Sequence, residues 1–175
     1  MAVNSSFELH DSNKCTVMYG KATEPKDFLE TLRSKFPNVT IQIIADDAVY
    51  NIEHLKWSVR QSWLAKNRGV MLAKRVELDL LMRIGGMNQI SEAIKIAGAK
   101  ENSPCYVVGI GAESELKKLA GFVKERCELM EFKKEGNKKV LQRFGIYGKE
   151  IGAGGNDKVA LLLAEKGLLA VVEKL

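Results

Sequence analysis

Histidine, proline and cysteine are scarce in this 175-residue chain, with two, three and three residues respectively. Cys15, Cys105 and Cys127 form an odd set without a C-x-x-C pair, which points to reduced, structural thiols rather than a disulfide framework. A zinc site needs about four ligands at short spacing, and neither His10 nor His54 lies near a cysteine in sequence. No apolar run approaches the ~18 residues that would suggest a membrane span, so no membrane contact is expected. The opening stretch MAVNSSFELHDSN has neither a basic nor an apolar leader region, so no export signal is visible and a cytoplasmic location is expected.

Motifs for chemistry are missing as well. No G-x-S-x-G occurs, and neither histidine pairs with a serine or cysteine at a recognisable spacing. Gly109-Ile110-Gly111 lacks the third glycine of a dinucleotide loop, because Ser114 stands in its place. Gly152 to Lys158 puts glycines before a lysine without the phosphate-loop spacing or its Ser/Thr. It reads as a loop in which Asn156 or Asp157 caps the last helix. Asp46-Asp47 have no third acidic neighbour for a metal and read as turn residues. The chain therefore reads as a non-enzyme without a cofactor.

Hydrophobic residues at 46% and charged residues at 28% suit a globular protein with a substantial core. The expected elements are strands at 15–20, 39–45, 76–84, 106–110 and 128–132. Helices are expected at 25–35, 52–67 (closed by Gly69), 114–126 and 136–144, with a last one from Asn156 or Asp157. No composition shift marks a boundary, so residues 1–175 read as one α/β domain with helices packed on a sheet, residues 1–14 being a flexible start. Alternation of strands and helices by itself favours a parallel sheet.

The net charge of +5 resides in clusters at Lys56/Arg60, at Lys66/Arg68/Lys74/Arg75 and at Lys133/Lys134/Lys138/Lys139/Arg143. Each is either a solvated face or a contact for an anionic partner. In the helix from Ile52, the residues Ile52, Leu55, Val59 and Trp63 form a core stripe. Trp57 and Leu64 fall elsewhere, beside Lys56, Arg60 and Asn67. That second patch packs under a loop or stacks on an unpaired base. His54 reads as a capping or packing residue. The final helix is apolar on nearly every side, with Val159 to Ala164 and Leu168 to Val172 around a polar strip. Such a helix is either central core or a partner surface. Gly167 costs ~1 kcal/mol in mid-helix, so a break there is a further possibility.

From Val76 to Gly98 the chain reads VELDLLMRIGGMNQISEAIKIAG. An apolar strand-like run meets Gly85-Gly86, with Asn88 as an N-cap, a short helix on Ile90, Ala93, Ile94 and Ala97, and Gly98 as a left-handed stop. With Gln89, Ile90, Ala93 and Ile94 in the pattern Gln-Ile-x-x-Ala-Ile, this segment resembles the KEOPS/EKC subunit of the TPRKB (PRPK-binding protein) family. The resemblance runs from about Thr16 to Lys166 and includes His54-Leu55 and the segment KVALLLAEK.

What the resemblance implies is a mixed, largely antiparallel central sheet of about five strands. It also implies an accessory subunit that binds and activates the complex's small RIO-like kinase/ATPase. Such a subunit helps recruit tRNA, through its 3′ CCA end, for threonylcarbamoyl-adenosine modification. The expected kinase contacts are Val159, Leu162, Leu163 and Lys166. The expected tRNA contacts are Lys56, Trp57, Arg60, Lys74, Arg75, Asn88 and Gln89. Met87-Asn88 stand where a Thr-Arg pair is common in the family, and Lys74 and Arg75 are the expected compensating cations. The rival readings are a stand-alone basic RNA-binding module and a small nucleotide-dependent enzyme using Gly109–Gly111.

Overall fold

The computed structural model describes residues 4–148, 151 and 155–172, the side chain of residue 171 excepted. Its contacts group the chain into two compact units, Met1–Asp46 with Ala99–Phe132, and Asp47–Gly98 with Lys133–Leu175.

The first unit is a five-stranded sheet with two helices. Strands β1 (Asn4–Glu8), β2 (Lys14–Lys21), β3 (Thr40–Ala45) and β4 (Pro104–Gly111) lie in the order β1-β2-β4-β3, and the short β5 (Glu128–Leu129) also pairs with β2. Every ladder is antiparallel. Helices α1 (Pro25–Lys35) and α5 (Glu113–Arg126) pack on it through Leu32, Leu116, Leu119 and Val123, which meet Met18, Ile41, Ile43 and Val107 of the sheet. Strands β2, β3 and β4 are buried along almost their whole length. That explains why they read as continuous apolar runs rather than as alternating ones.

The start of the chain differs from expectation. Residues 4–8 are not a flexible lead but a strand, registered from Asn4 opposite Met18 to Glu8 opposite Lys14. Ser6 Oγ donates to Thr16 Oγ1 at 3.2 Å. NSSFE has one large apolar residue and weak strand propensity, so the ladder offered by β2 decides its conformation.

The second unit is helical: α2 (Ile52–Arg68), α3 (Val76–Gly85), α4 (Ile90–Ala97), α6 (Lys138–Arg143) and α7 (Gly155–Val172). The expected third strand at 76–84 is α3. Its buried, short apolar run imitates a core strand. Only Val76 and Ile84 are β-branched, however, and Glu, Leu, Met and Arg between them are good helix formers. The i,i+4 pair Asp79–Arg83 meets at 2.6 Å, which a helix allows and a strand, with about 13 Å between such positions, does not.

Gly86, at φ 64°, ends α3. Its N–H donates to the Arg83 carbonyl and that of Met87 to the Met82 carbonyl, the paired bonds of a Schellman stop. The stop at Gly98 is not left-handed, since its φ is −68°. Nor does Asn88 cap α4, because Gln89 holds the N-cap position without a side-chain hydrogen bond. Helix α7 is continuous through Gly167. A Cβ there would collide with the carbonyl of Arg83, so the glycine permits close approach of α7 to the end of α3.

Candidate partner-binding surface

Every large apolar side chain that is exposed among the described residues belongs to the helical unit. They are Trp57 and Leu64 on α2, Val70 after it, Ile90 and Ile94 on α4, Tyr147, Ile151, and Leu169 and Val172 on α7. On α4 the usual arrangement is reversed, since small Ala93 and Ala97 face inward while Ile90 and Ile94 face solvent. Exposed apolar groups that form a contiguous patch mark interaction surfaces, which makes this unit the candidate for partner contact.

Helix α7 divides its apolar circumference. Val159, Ala160 and Leu163 pack with Tyr50, Val140, Leu141 and Ile146, and Leu162 lies half-buried against the same cluster. Val159 and Leu163, expected to touch a partner, are 2% and 0% exposed and act as the backing of the surface. Their i,i+4 spacing on a helix with only a narrow polar strip hides which apolar side turns inward. Lys166 is half-buried, and Leu169 is 53% exposed. Asn156 lies in the first turn of α7 and accepts a hydrogen bond from the Tyr50 hydroxyl at 3.0 Å instead of capping. The glycines at 152–154 lie outside the described residues.

The expected tRNA residues all belong to this unit, yet they do not form one cluster. Trp57 is 37% exposed on α2 with the Arg60 guanidinium 5.3 Å from its ring, and Lys56 pairs with Glu53 at 2.8 Å. Lys74 and Arg75 lie before the first turn of α3, where Arg75 pairs with Glu77. Asn88 and Gln89 lie beyond its last turn. A ten-residue helix separates the two pairs by about 15 Å at 1.5 Å per residue. Lys74 and Arg75 therefore do not supply the cation at the glycine turn.

That role falls to a residue the sequence did not single out individually. Arg143, on α6, donates through Nη2 to the carbonyls of Ala48 at 2.7 Å and Ile84 at 3.1 Å. The second is one of the last carbonyls of α3, where a cation also meets the helix dipole favourably. Burial holds the Arg143 pKa below its ordinary value, with Asp47 opposing. No local pattern in VLQRF marks it, because both of its acceptors come from distant segments.

Two further buried groups hold the unit together. Asp79 accepts from Arg83 Nε at 2.6 Å and from the Leu72 N–H at 2.6 Å, tying the loop before α3 to the helix. His54 is fully buried, and its Nδ1 accepts from the Tyr50 N–H at 3.1 Å, so the ring proton resides on Nε2. Asn51 caps α2 by accepting from the His54 N–H at 2.9 Å. His54 is thus a packing and capping residue, not a base.

Burial, with the Arg143 charge adding to it, pushes the His54 pKa down to about 3. Between there and the ordinary 6.5 the unfolded chain binds a proton that the native state refuses, so stability falls as pH falls through that window. Urea unfolding is expected to show a loss of about 2 kcal/mol from this group between pH 7 and pH 5. The His54→Gln variant should lose that part of the slope, and an unchanged slope would contradict the buried neutral imidazole.

The remaining motifs resolve into packing. A Cβ on Gly109 would strike the Leu119 side chain, so this glycine lets α5 approach β4. Burial raises the thiol pKa of Cys105 to about 11 and that of Cys127 as well, which leaves both protonated and unreactive. Among the described residues no three His, Cys, Asp or Glu side chains gather in a metal-binding group, and no helix is long and apolar enough to cross a membrane.

Residues 19–154 match the family of kinase binding protein CGI-121. The chain is also 35% identical over 66 residues to the regulatory protein Cgi121 of Methanocaldococcus jannaschii. That stretch is 38% of this chain and 43% of the relative, so the alignment spans less than half of the curated protein. The Gly-turn segment with α2, α3, α4 and α6 lies inside a family match covering most of the sequence, α7 lies beyond its end, and the chain belongs to the CGI-121 kinase-binding protein family.

Proposed function

We propose that this chain is a non-catalytic accessory subunit of the KEOPS complex. It binds and activates the small RIO-like kinase/ATPase through the helical unit and helps recruit tRNA for threonylcarbamoyl-adenosine modification. The observation that carries the kinase part is the segregation of exposed large apolar side chains to that unit, in a chain of a kinase-binding family. The docking face is the outer side of α7, with Leu169 and Val172 exposed, Leu162 and Lys166 half-buried beside them, and Val159 and Leu163 behind. The tRNA part rests on the exposed Trp57 with Arg60 beside it and on a stretch from His54 to Val76 that contains six basic residues and no acidic one. Such a surface suits phosphate attraction together with stacking of an unpaired base.

Mixing the purified chain with the kinase should give a stoichiometric complex on gel filtration. ATP hydrolysis should rise with added chain until the pair saturates, and the chain alone should hydrolyse none. Intact tRNA should bind with an affinity that falls steeply as salt rises, and Trp57→Ala should weaken intact tRNA more than tRNA trimmed of its 3′ end. Binding of tRNA without any kinase complex would favour the stand-alone RNA-binding module instead.

A further inference from the structure

Residues 69–75 join α2 to α3 and are tied down at three backbone points. The Val70 N–H donates to the Ala65 carbonyl at 2.9 Å, which fixes the start of the loop to the last turn of α2. The N–H groups of Leu78 and Asp79 donate to the Arg75 carbonyl at 3.1 and 3.0 Å, which fixes its end to α3. Between these points the Leu72 N–H donates to Asp79 Oδ1 at 2.6 Å. That acceptor belongs to a fully buried carboxylate, whose other oxygen accepts from Arg83 Nε at 2.6 Å, and Arg83 is buried as well. Lys74 and Arg75, two and three residues beyond Leu72, are exposed, as is Arg68 at the end of α2.

A buried ion pair rarely returns more stability than two well-packed apolar side chains of similar size, so the fold alone gives no reason for this one. Holding the loop does. An apolar residue at position 79 could not accept from the Leu72 amide, and a carboxylate without Arg83 would place an unbalanced negative charge beneath Lys74 and Arg75. With Arg83 in place, the loop is anchored and its cations stay available to an anion. Side chains that are already placed lose less freedom when a ligand arrives. We infer that Asp79 and Arg83 are positioning residues, which hold residues 69–75 so that Lys74 and Arg75 meet the phosphate backbone of tRNA. The inference rests on the tRNA-binding reading and adds the buried pair that shapes its basic loop.

Fluorescence anisotropy of labelled tRNA with the full chain tests it, at a temperature where circular dichroism shows every variant folded. Asp79→Leu with Arg83→Met removes the acceptor and the pair together and should weaken tRNA binding about fivefold or more. Lys74→Ala with Arg75→Ala should also weaken it and lower the salt dependence by about two phosphate contacts. All four changes together should weaken binding little beyond the larger single effect, because cations that are gone cannot be misplaced. Asp79→Asn with Arg83→Gln keeps an uncharged acceptor for the Leu72 amide and should bind as wild type. Leu72→Pro deletes the N–H and leaves the pair in place. It should weaken tRNA as the Leu/Met variant does, and it decides alone if that variant fails to fold.

Effects that multiply, or an equal loss in the Asn/Gln variant, overturn the positioning role and leave the pair a stabilising contact only. Wild-type affinity in the Leu/Met and Leu72→Pro proteins does the same. Wild-type affinity after Lys74→Ala with Arg75→Ala overturns it too, and leaves the tRNA reading to Trp57 and Arg60. A wild-type chain that binds no tRNA removes that reading and the inference together.

Discussion

Leu163→Arg is expected to unfold the helical unit, whereas Leu169→Arg should leave it folded and remove the kinase. The two residues lie on one helix six positions apart, which turns them to different sides of α7. Leu163 is fully buried against Val140, Leu141 and Ile146. Truncating such a side chain typically costs 2–5 kcal/mol, and leaving an unpaired guanidinium in its place adds several more. Against a total stability of about 5–15 kcal/mol, the sum is enough to abolish folding.

Leu169 is more than half exposed, and a surface substitution of this kind usually changes stability by about 0.5 kcal/mol or less. As a central contact in a docking face it would cost about 2 kcal/mol or more in binding, over tenfold in affinity. Circular dichroism with thermal melting reads the first effect and co-elution with the kinase the second. A folded Leu163→Arg would contradict the packing of α7. Undiminished kinase binding by Leu169→Arg would move the interface elsewhere, with the Ile90–Ile94 face of α4 as the next candidate.

Asp79→Ala is the second change with a large expected effect. Its carboxylate is 0% exposed and satisfies both Arg83 and the Leu72 N–H. Removing one partner of a buried pair strands the other charge and costs about 3–5 kcal/mol. Here the orphaned Leu72 amide adds about 1–3 kcal/mol. Replacing the pair together, Asp79→Leu with Arg83→Met, removes the stranded charge, so the double variant should be more stable than Asp79→Ala by about 3 kcal/mol. Urea denaturation of the three proteins gives the comparison. A double variant no more stable than the single one would mean that the amide bond, not the ion pair, is the main contribution.

How much of this was legible beforehand varies element by element. Helix α2 was readable because its signals are local: Gly69 stops it, and Leu55, Val59 and Trp63 recur on one face; the Asn51 cap emerged only in the structure. The same periodicity set Trp57 and Leu64 off the core stripe but left open whether a loop covers them, and both are exposed. Helix α3 was not readable as a helix, since burial on nearly all sides erases the amphipathic period. The count of five strands matched expectation through an exchange, with the expected strand at 76–84 turning out to be α3 and the strand β1 arising from a segment expected to be flexible.

By itself, then, the sequence determined what depends on short-range chemistry. That includes the Gly69 stop of α2, the apolar runs of β2, β3 and β4, the lack of catalytic spacings, and the glycine-turn motif that carries the family. The tertiary structure decided which apolar face of α7 is spent on the core, because a helix apolar on nearly every side carries little record of its orientation. It separated Lys74 and Arg75 from the glycine turn by the length of α3 and brought Arg143 there from α6 instead. It also gave Gly167 its reason, since only the approach of the Arg83 carbonyl makes a missing Cβ necessary. The α7 packing, the Arg143 contact and the Gly167 approach each depend on segments dozens of residues apart meeting in space, and no local pattern encodes such a meeting.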